Sequence, residues 1–273
     1  MKSIALGQYY PTGSILHRID PRMKVIMALL YIVATFLAKS LVAFGILLLS
    51  AIVLVIVSRI PLRVVLSGLK PILFIMLFTM IINVFLVGGE GEPLFAWKFI
   101  RIYQEGLYQA AFMAIRIVVL ILGTSMFLTY TTTPIMLTDA IERLLGPLRV
   151  LHVPVHEFAM MMTIALRFIP TLMEETEKIM AAQKARGADF SSGSLISRAK
   201  ALIPILIPLF VSAFRRADEL ATAMECRCYH GGKGRTRMTV LHYRFGDFVA
   251  LVLMLAFGTG LVFANRVDFL FTM

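Results

Sequence analysis

The chain has 273 residues, of which 59% are hydrophobic and 16% charged, with a formal net charge of +11. A soluble domain carries about 45–50% apolar and about 25% charged residues, so this composition excludes a single water-solvated globule and sets much of the surface against lipid. In that setting a basic excess reports lysine and arginine kept on the cytoplasmic side, and not a nucleic-acid surface.

The first 22 residues are polar and turn-rich, through Pro11, Thr12 and Gly13. No small-residue cleavage site follows the first apolar run, so no secretory signal peptide is expected. A helical span needs about 20 apolar residues, in a range of about 17–25. The runs Met23–Ala38 and Leu41–Val57, parted by Lys39-Ser40, read as a hairpin of two spans. Arg59, Pro61, Arg63 and Lys70 mark a basic loop. Pro71–Val87 is the third span, and the Gly88–Pro93 turn leads to Trp97, an expected interfacial anchor. Leu107–Tyr130, with Arg116 inside it, is the fourth, and Phe245–Ala264 is the fifth. The expected fold is an all-α integral membrane protein of about five transmembrane helices, with long cytoplasmic coupling helices in a crossed hairpin. Its regions are a four-span part (1–130), a cytoplasmic part (131–244) and a C-terminal span (245–273).

Five spans put the termini on opposite sides of the membrane. Residues 1–24, 58–70 and 131–244 hold 22 of the 27 lysines and arginines. Lys39, Lys98, Arg101 and Arg266 fall on the other side. Positive charge is retained inside, so the N-terminus and residues 131–244 are expected in the cytoplasm of a multi-pass cell-membrane protein.

Within 131–244 lie two apolar stretches too short to span, Phe158–Met173 and Ala201–Phe214. Each runs on into charged, helix-forming sequence. Gly187 ends the first helix and Gly231-Gly232 follow the second, as C-terminal caps do. Helices over Glu157–Arg186 and Leu195–Arg227 would reach about 45 and 50 Å at about 1.5 Å per residue, and Pro204 and Pro208 should bend the second. The Ser191–Ser194 turn joins them. Ala185-Arg186-Gly187 and Glu225-Cys226-Arg227-Cys228-Tyr229 then occupy equivalent helix ends. An arginine there complements the helix dipole by about 0.3–1 kcal/mol. Its planar guanidinium also suits bidentate docking onto a partner's carboxylate. Two cationic tips tens of ångströms apart match a partner with two similar receiving sites, such as an ATPase dimer.

The arrangement resembles the transmembrane coupling component of energy-coupling factor transporters, a branch of the ABC transporters. His17-Arg18-Ile19-Asp20-Pro21-Arg22-Met23-Lys24 is similar to the N-terminal signature of that family. Ala165–Pro170 is similar to the start of its first coupling helix, and Ala182–Asp189 to its first Ala-Arg-Gly motif. Glu225–Tyr229 is similar to the second, with Cys226 for alanine and Cys228 for glycine. The resemblance implies that Ala185, Arg186, Gly187, Glu225, Arg227, Cys228 and Tyr229 dock two cytoplasmic ABC-type ATPase subunits. It implies that the membrane face of the same helices grips a small substrate-binding membrane subunit, the S component, through Met160, Met161, Met162, Phe168, Pro204 and Pro208. Flexible methionines suit such a surface, although ordinary core or lipid packing is the slightly better explanation of any one of them. The subunit would couple ATP hydrolysis to vitamin or metal-ion uptake and would itself be no enzyme, hold no cofactor and bind no nucleic acid.

The remaining residues support no other chemistry. Gly232-Lys233-Gly234 lacks phosphate-loop spacing. Cys226-x-Cys228 with His230 falls short of a zinc ligand set. His156-Glu157 begins a metalloprotease-like pattern, but Met160 stands where its second histidine would be. A stand-alone secondary transporter is the alternative, and it would need polar groups at the midplane of several spans. Only Arg116 and Asn83 answer to it.

Overall fold

The computed structural model describes residues 8–86, 88, 95–97, 100–188, 190, 194–232 and 240–271. Cα packing divides the chain into two compact units, Glu142–Thr239 and Gly7–Ile141 with Val240–Met273. Most described residues are helical, and the strands among them form one short antiparallel ladder of β1 (Phe95–Trp97) and β2 (Ile100–Ile102), in the loop that carries Trp97.

The larger unit opens with a single turn, α1 (Ile15–Arg18), and then α2 (Pro21–Leu37). Asp20 caps α2 by accepting the Arg22 backbone N–H at 2.9 Å, and Pro21 fills the first position, where no N–H is needed. Ser40 caps α3 (Leu41–Ser58) in the same way through Ala43 N. Next come α4 (Leu62–Leu86), α5 (Gln104–Thr124) with a wide π-turn over Ser125–Thr129, and α6 (Pro134–Leu144). A further helix, here α9 (Phe245–Phe271), returns to the same unit. Helix α2 lies deepest. Tyr31 stacks on Phe257 of α9 and meets Phe127 edge-on, each at 6.0 Å between ring centres. Gly123 is a glycine because a Cβ there would enter the Tyr31 ring.

Among the described residues five helices are long and apolar enough to cross a membrane: Leu41–Ser58, Leu62–Leu86, Gln104–Thr129, Ile196–Cys226 and Phe245–Arg266. Two differences from the sequence expectation follow. The third span begins at Leu62, so Arg63 and Lys70 sit on a helix and not in a loop, with Pro71 inside it. Also, α2 at 17 residues is one of the shorter helices, about 26 Å long and at the lower limit of a span, whereas Ile196–Cys226 meets the criterion by length and composition alone.

Hydrogen bonds at both ends fix the relative direction of α2 and α9. At one end, Asp20 N donates to Asp247 Oδ1 (3.0 Å) and Lys24 Nζ to the Thr131 carbonyl (2.8 Å). At the other, Asn265 Oδ1 accepts from Lys39 N and Ser40 N, and its amide donates to the Leu37 carbonyl at 2.7 Å. Helices α2 and α9 are therefore parallel. Thr131 and Leu241 are held at the same end, Leu241 by its carbonyl accepting from Arg22 Nη2 (3.2 Å). Both points lie on the first turn of α2, so the segment between them crosses any membrane an even number of times.

The second unit is built on two long helices, α7 (Val155–Ala185) and α8 (Leu195–Cys226), preceded by a 3-10 turn over Gly146–Leu151. They pack antiparallel. Arg216 Nη2 meets Glu175 Oε2 at 2.9 Å, and Gln183 Nε2 donates to the Pro204 carbonyl at 3.5 Å. That carbonyl is free because Pro208 has no N–H to offer it, so Gln183 of α7 supplies the donor that α8 lacks.

Candidate functional site

Both long helices end in the same device. At α7, Arg186 is the last half-helical residue, Gly187 turns left-handed (φ 88°), Gly187 N donates to Lys184 O and Ala188 N to Gln183 O, each at 3.0 Å. At α8, Arg227 holds the same place, and Cys228 takes the left-handed turn (φ 55°). Cys228 N donates to Glu225 O at 2.8 Å and Tyr229 N to Met224 O at 3.1 Å. These are two Schellman caps in register, residue for residue. The expected cap at Gly231-Gly232 is therefore corrected to Cys228, because the chain already reverses there. All the cap bonds are backbone bonds, which leaves the Arg186 and Arg227 side chains exposed.

The two arginines are also equivalent in position. Each lies eleven residues beyond its helix's member of the Glu175–Arg216 pair. At about 1.5 Å per residue that is about 16 Å from the crossing, and antiparallel packing sends the two tips opposite ways. Glu175 is held below the usual carboxylate range, chiefly by the Ser212 hydroxyl and then by Arg216, against the opposing effect of burial. A pair of this kind adds little to stability, so it sets the crossing point more than it stabilises it.

Cys228 carries backbone strain that Gly187 does not. A non-glycine residue in the left-handed region costs about 1–2 kcal/mol. Replacing Cys228 with glycine is expected to slow hydrogen exchange over the last turn of α8 by about two- to five-fold, as a net gain of about 0.5–1 kcal/mol implies. Unchanged or faster exchange would show that Cys228 bears no strain.

The other site residues divide by exposure. Met161 and Met162 are 52% and 53% exposed, Pro204 and Pro208 are exposed, and Met160 and Phe168 are half-buried. They border an apolar stripe on each helix, including Phe158 and Ile169 on α7, and Ile203, Ile207, Phe210 and Phe214 on α8. The spacing of three and four residues sets each stripe on one face. Ala185, Glu225 and Cys226 are exposed, and Tyr229 is half-buried. Lys233 and Gly234 lie outside the described residues, as do Ser191–Gly193 of the joining turn. Among the described residues no group of three or more His, Cys, Asp or Glu is placed to hold a metal ion.

The two polar residues that a secondary transporter would use are engaged structurally. Arg116 Nη2 donates to the Ala38 carbonyl at 2.8 Å, at the negative end of α2, and its guanidinium lies 5.3 Å from the Phe44 ring centre. Asn83 donates to Thr79 O of its own helix.

The His17–Lys24 signature forms an anchor. Arg22 clamps Asp20 with two bonds of 3.0 and 2.9 Å, lies 3.8 Å from the Tyr243 ring centre and reaches the Leu241 carbonyl. Lys24, 2% exposed, holds the Thr131 carbonyl. Asp247, also 2% exposed, accepts from Asp20 N and Arg244 N. The first turn of α2 thus grips both ends of the long intervening segment. Asp247 and Asn265 were not singled out in the sequence. An acid at the third position of α9 is a capping signal, but nothing local points to its second contact, 227 residues away.

The chain is similar to known proteins over most of its length. The family described as Cobalt transport protein (CbiQ) matches residues 12–240. "Energy-coupling factor transporter transmembrane protein EcfT" of Clostridium kluyveri is 55% identical over 250 residues, covering 92% of each chain. The protein of the same name from Ruminiclostridium cellulolyticum is 52% identical over 269 residues, covering 98% of this chain and all of its own. That from Bacillus subtilis is 48% identical over 263 residues, covering 96% and 98%. With the match running from the α2 anchor through both arginine-ended helices, the chain belongs to the CbiQ/EcfT family of transmembrane components of energy-coupling factor transporters.

Proposed function

We propose that this chain couples ATP hydrolysis by two cytoplasmic ABC-type ATPase subunits to movement of a small substrate-binding membrane S component, driving uptake of a vitamin or metal ion. One observation carries the reading: a single cap geometry, built twice, presents one exposed arginine at each end of an antiparallel helix pair. Two like tips equidistant from a crossing point suit two like receptors. The apolar stripes on α7 and α8 are the surface offered to the S component, with Met160, Met161, Met162, Phe168, Pro204 and Pro208 on or beside it. The chain itself hydrolyses no ATP and holds no solute.

In this reading residues 1–130 and 245–273 hold the subunit in the cell membrane, while residues 131–244 and the N-terminus face the cytoplasm. The even crossing number of the long segment supports that arrangement, since α8 crossing alone would leave its two ends on opposite sides. Tagged chain extracted from its native membrane in mild detergent should bring down two ATPase subunits and one small hydrophobic membrane protein, identified by mass spectrometry. ATP hydrolysis should be present in the complex and absent from the isolated chain. Recovery with no ATPase would sink the proposal.

A further inference from the structure

The two caps make an internal comparison. Around the conserved geometry, α7 places alanine and glycine beside its arginine (Ala185, Gly187), while α8 places cysteines at both positions (Cys226, Cys228). Cys228 sits where its twin is glycine, left-handed at φ 55°. Arg227 thus has a thiol on each side of it in sequence, and Arg186 has none. Both thiols are free and exposed, and they are the only two cysteines in the chain.

From this we infer that the α8 tip is a thiol-modification site, at which a mixed disulfide with a low-molecular-weight disulfide blocks docking of one ATPase. The inference rests on the docking role of Arg227. The two thiols are not joined to one another, and an external disulfide is the partner. The thiolate of Cys226 or Cys228 attacks one sulfur of R–S–S–R. A Cys–S–S–R bond forms as the R–S–S–R bond breaks, and R–S⁻ leaves, taking up the proton the thiol lost to water. The cysteine sulfur is oxidised and the departing sulfur reduced, so electrons balance with no other reagent. The adduct is larger than a cysteine side chain and lies directly beside Arg227, on the surface that must enter the ATPase. A reducing cytoplasm keeps the thiols free, and an oxidising shift disengages the tip at α8 while Arg186 at α7, with no thiol, is untouched.

The test treats tagged full-length chain with oxidised glutathione before the ATPases are added, maps the adduct by mass spectrometry and measures ATPase retained. The expected result is an adduct on Cys226, Cys228 or both, with retention at the α8 tip weakened about ten-fold or more and restored by reductant. A C226A/C228G variant should show a treated-to-untreated ratio of one. No adduct, an adduct with unchanged retention, or a variant as sensitive as the parent would overturn the inference. Untreated Arg227→Ala separates the two ideas. If it retains the ATPases in full, the docking reading has failed; if it loses them while the adduct does nothing, only the thiol site has.

Discussion

Replacing both Arg186 and Arg227 with alanine is expected to abolish ATP-driven uptake and release the ATPases, while leaving the chain folded. The physical reason lies in how the tips are built. Every bond that closes each cap runs between backbone groups, so alanine at either position keeps the reversal and removes only the exposed guanidinium. Alanine is also the better helix former. Arginine at the centre of an interface costs about 2 kcal/mol or more on truncation, so losing two weakens docking by roughly 4 kcal/mol, or about a thousand-fold. Single substitutions should give an intermediate loss, because one receptor remains engaged. Lysine at both places should rescue only part of it, since the charge stays but the planar fork does not. Uptake assays in vesicles, run beside ATPase retention on tagged chain, read both effects. Normal uptake with both arginines gone would remove the docking role, and uptake lost with ATPases fully retained would move that role from docking to transmission.

Those two tips were legible because everything that makes them is local. A helix end is written in consecutive residues, and the two ends repeat within one chain. The expected bounds Glu157–Arg186 and Leu195–Arg227 differ from the observed Val155–Ala185 and Leu195–Cys226 by two residues or fewer. Hydropathy likewise located α3, α5 and α9. It misplaced the start of α4 by nine residues, because Arg63, Lys70 and Pro71 look like loop residues, whereas in a membrane helix Pro is tolerated and end charges reach the interface. What stayed hidden was joined over long separations or through backbone atoms. Arg116 stood in a span without a partner because its partner is a carbonyl, Ala38 O, which has no signature in sequence. Asn265 closes the α2–α3 turn across 226 residues by bonding two backbone N–H groups and a carbonyl. Composition also could not decide α8, which is apolar enough to cross a membrane. The hydrogen bonds that fix both ends of its segment at the first turn of α2 exclude only an odd number of crossings.

Arg22→Ala is expected to destabilise the bundle by about 3–5 kcal/mol, the cost of removing one partner from a buried ion pair. The substitution strips the Asp20 carboxylate of two of its bonds, and Asp20 must remain charged or pay to take up a proton. It also removes the bond to the Leu241 carbonyl and uncovers the Tyr243 ring. For a chain of this size the loss corresponds to a fall in Tm of about 6–20 °C, read by thermal unfolding of the purified chain in detergent. Arg22→Lys should fall between, as one ammonium cannot hold both carboxylate oxygens and the carbonyl in the same plane. A Tm unchanged by Arg22→Ala would show that Lys24 and Asp247 hold the turn without it. Lys24 holds the chain at Thr131 and Arg22 holds it at Leu241, so the loss at Arg22 releases one of the two points that the short signature from His17 to Lys24 fixes to a single helical turn.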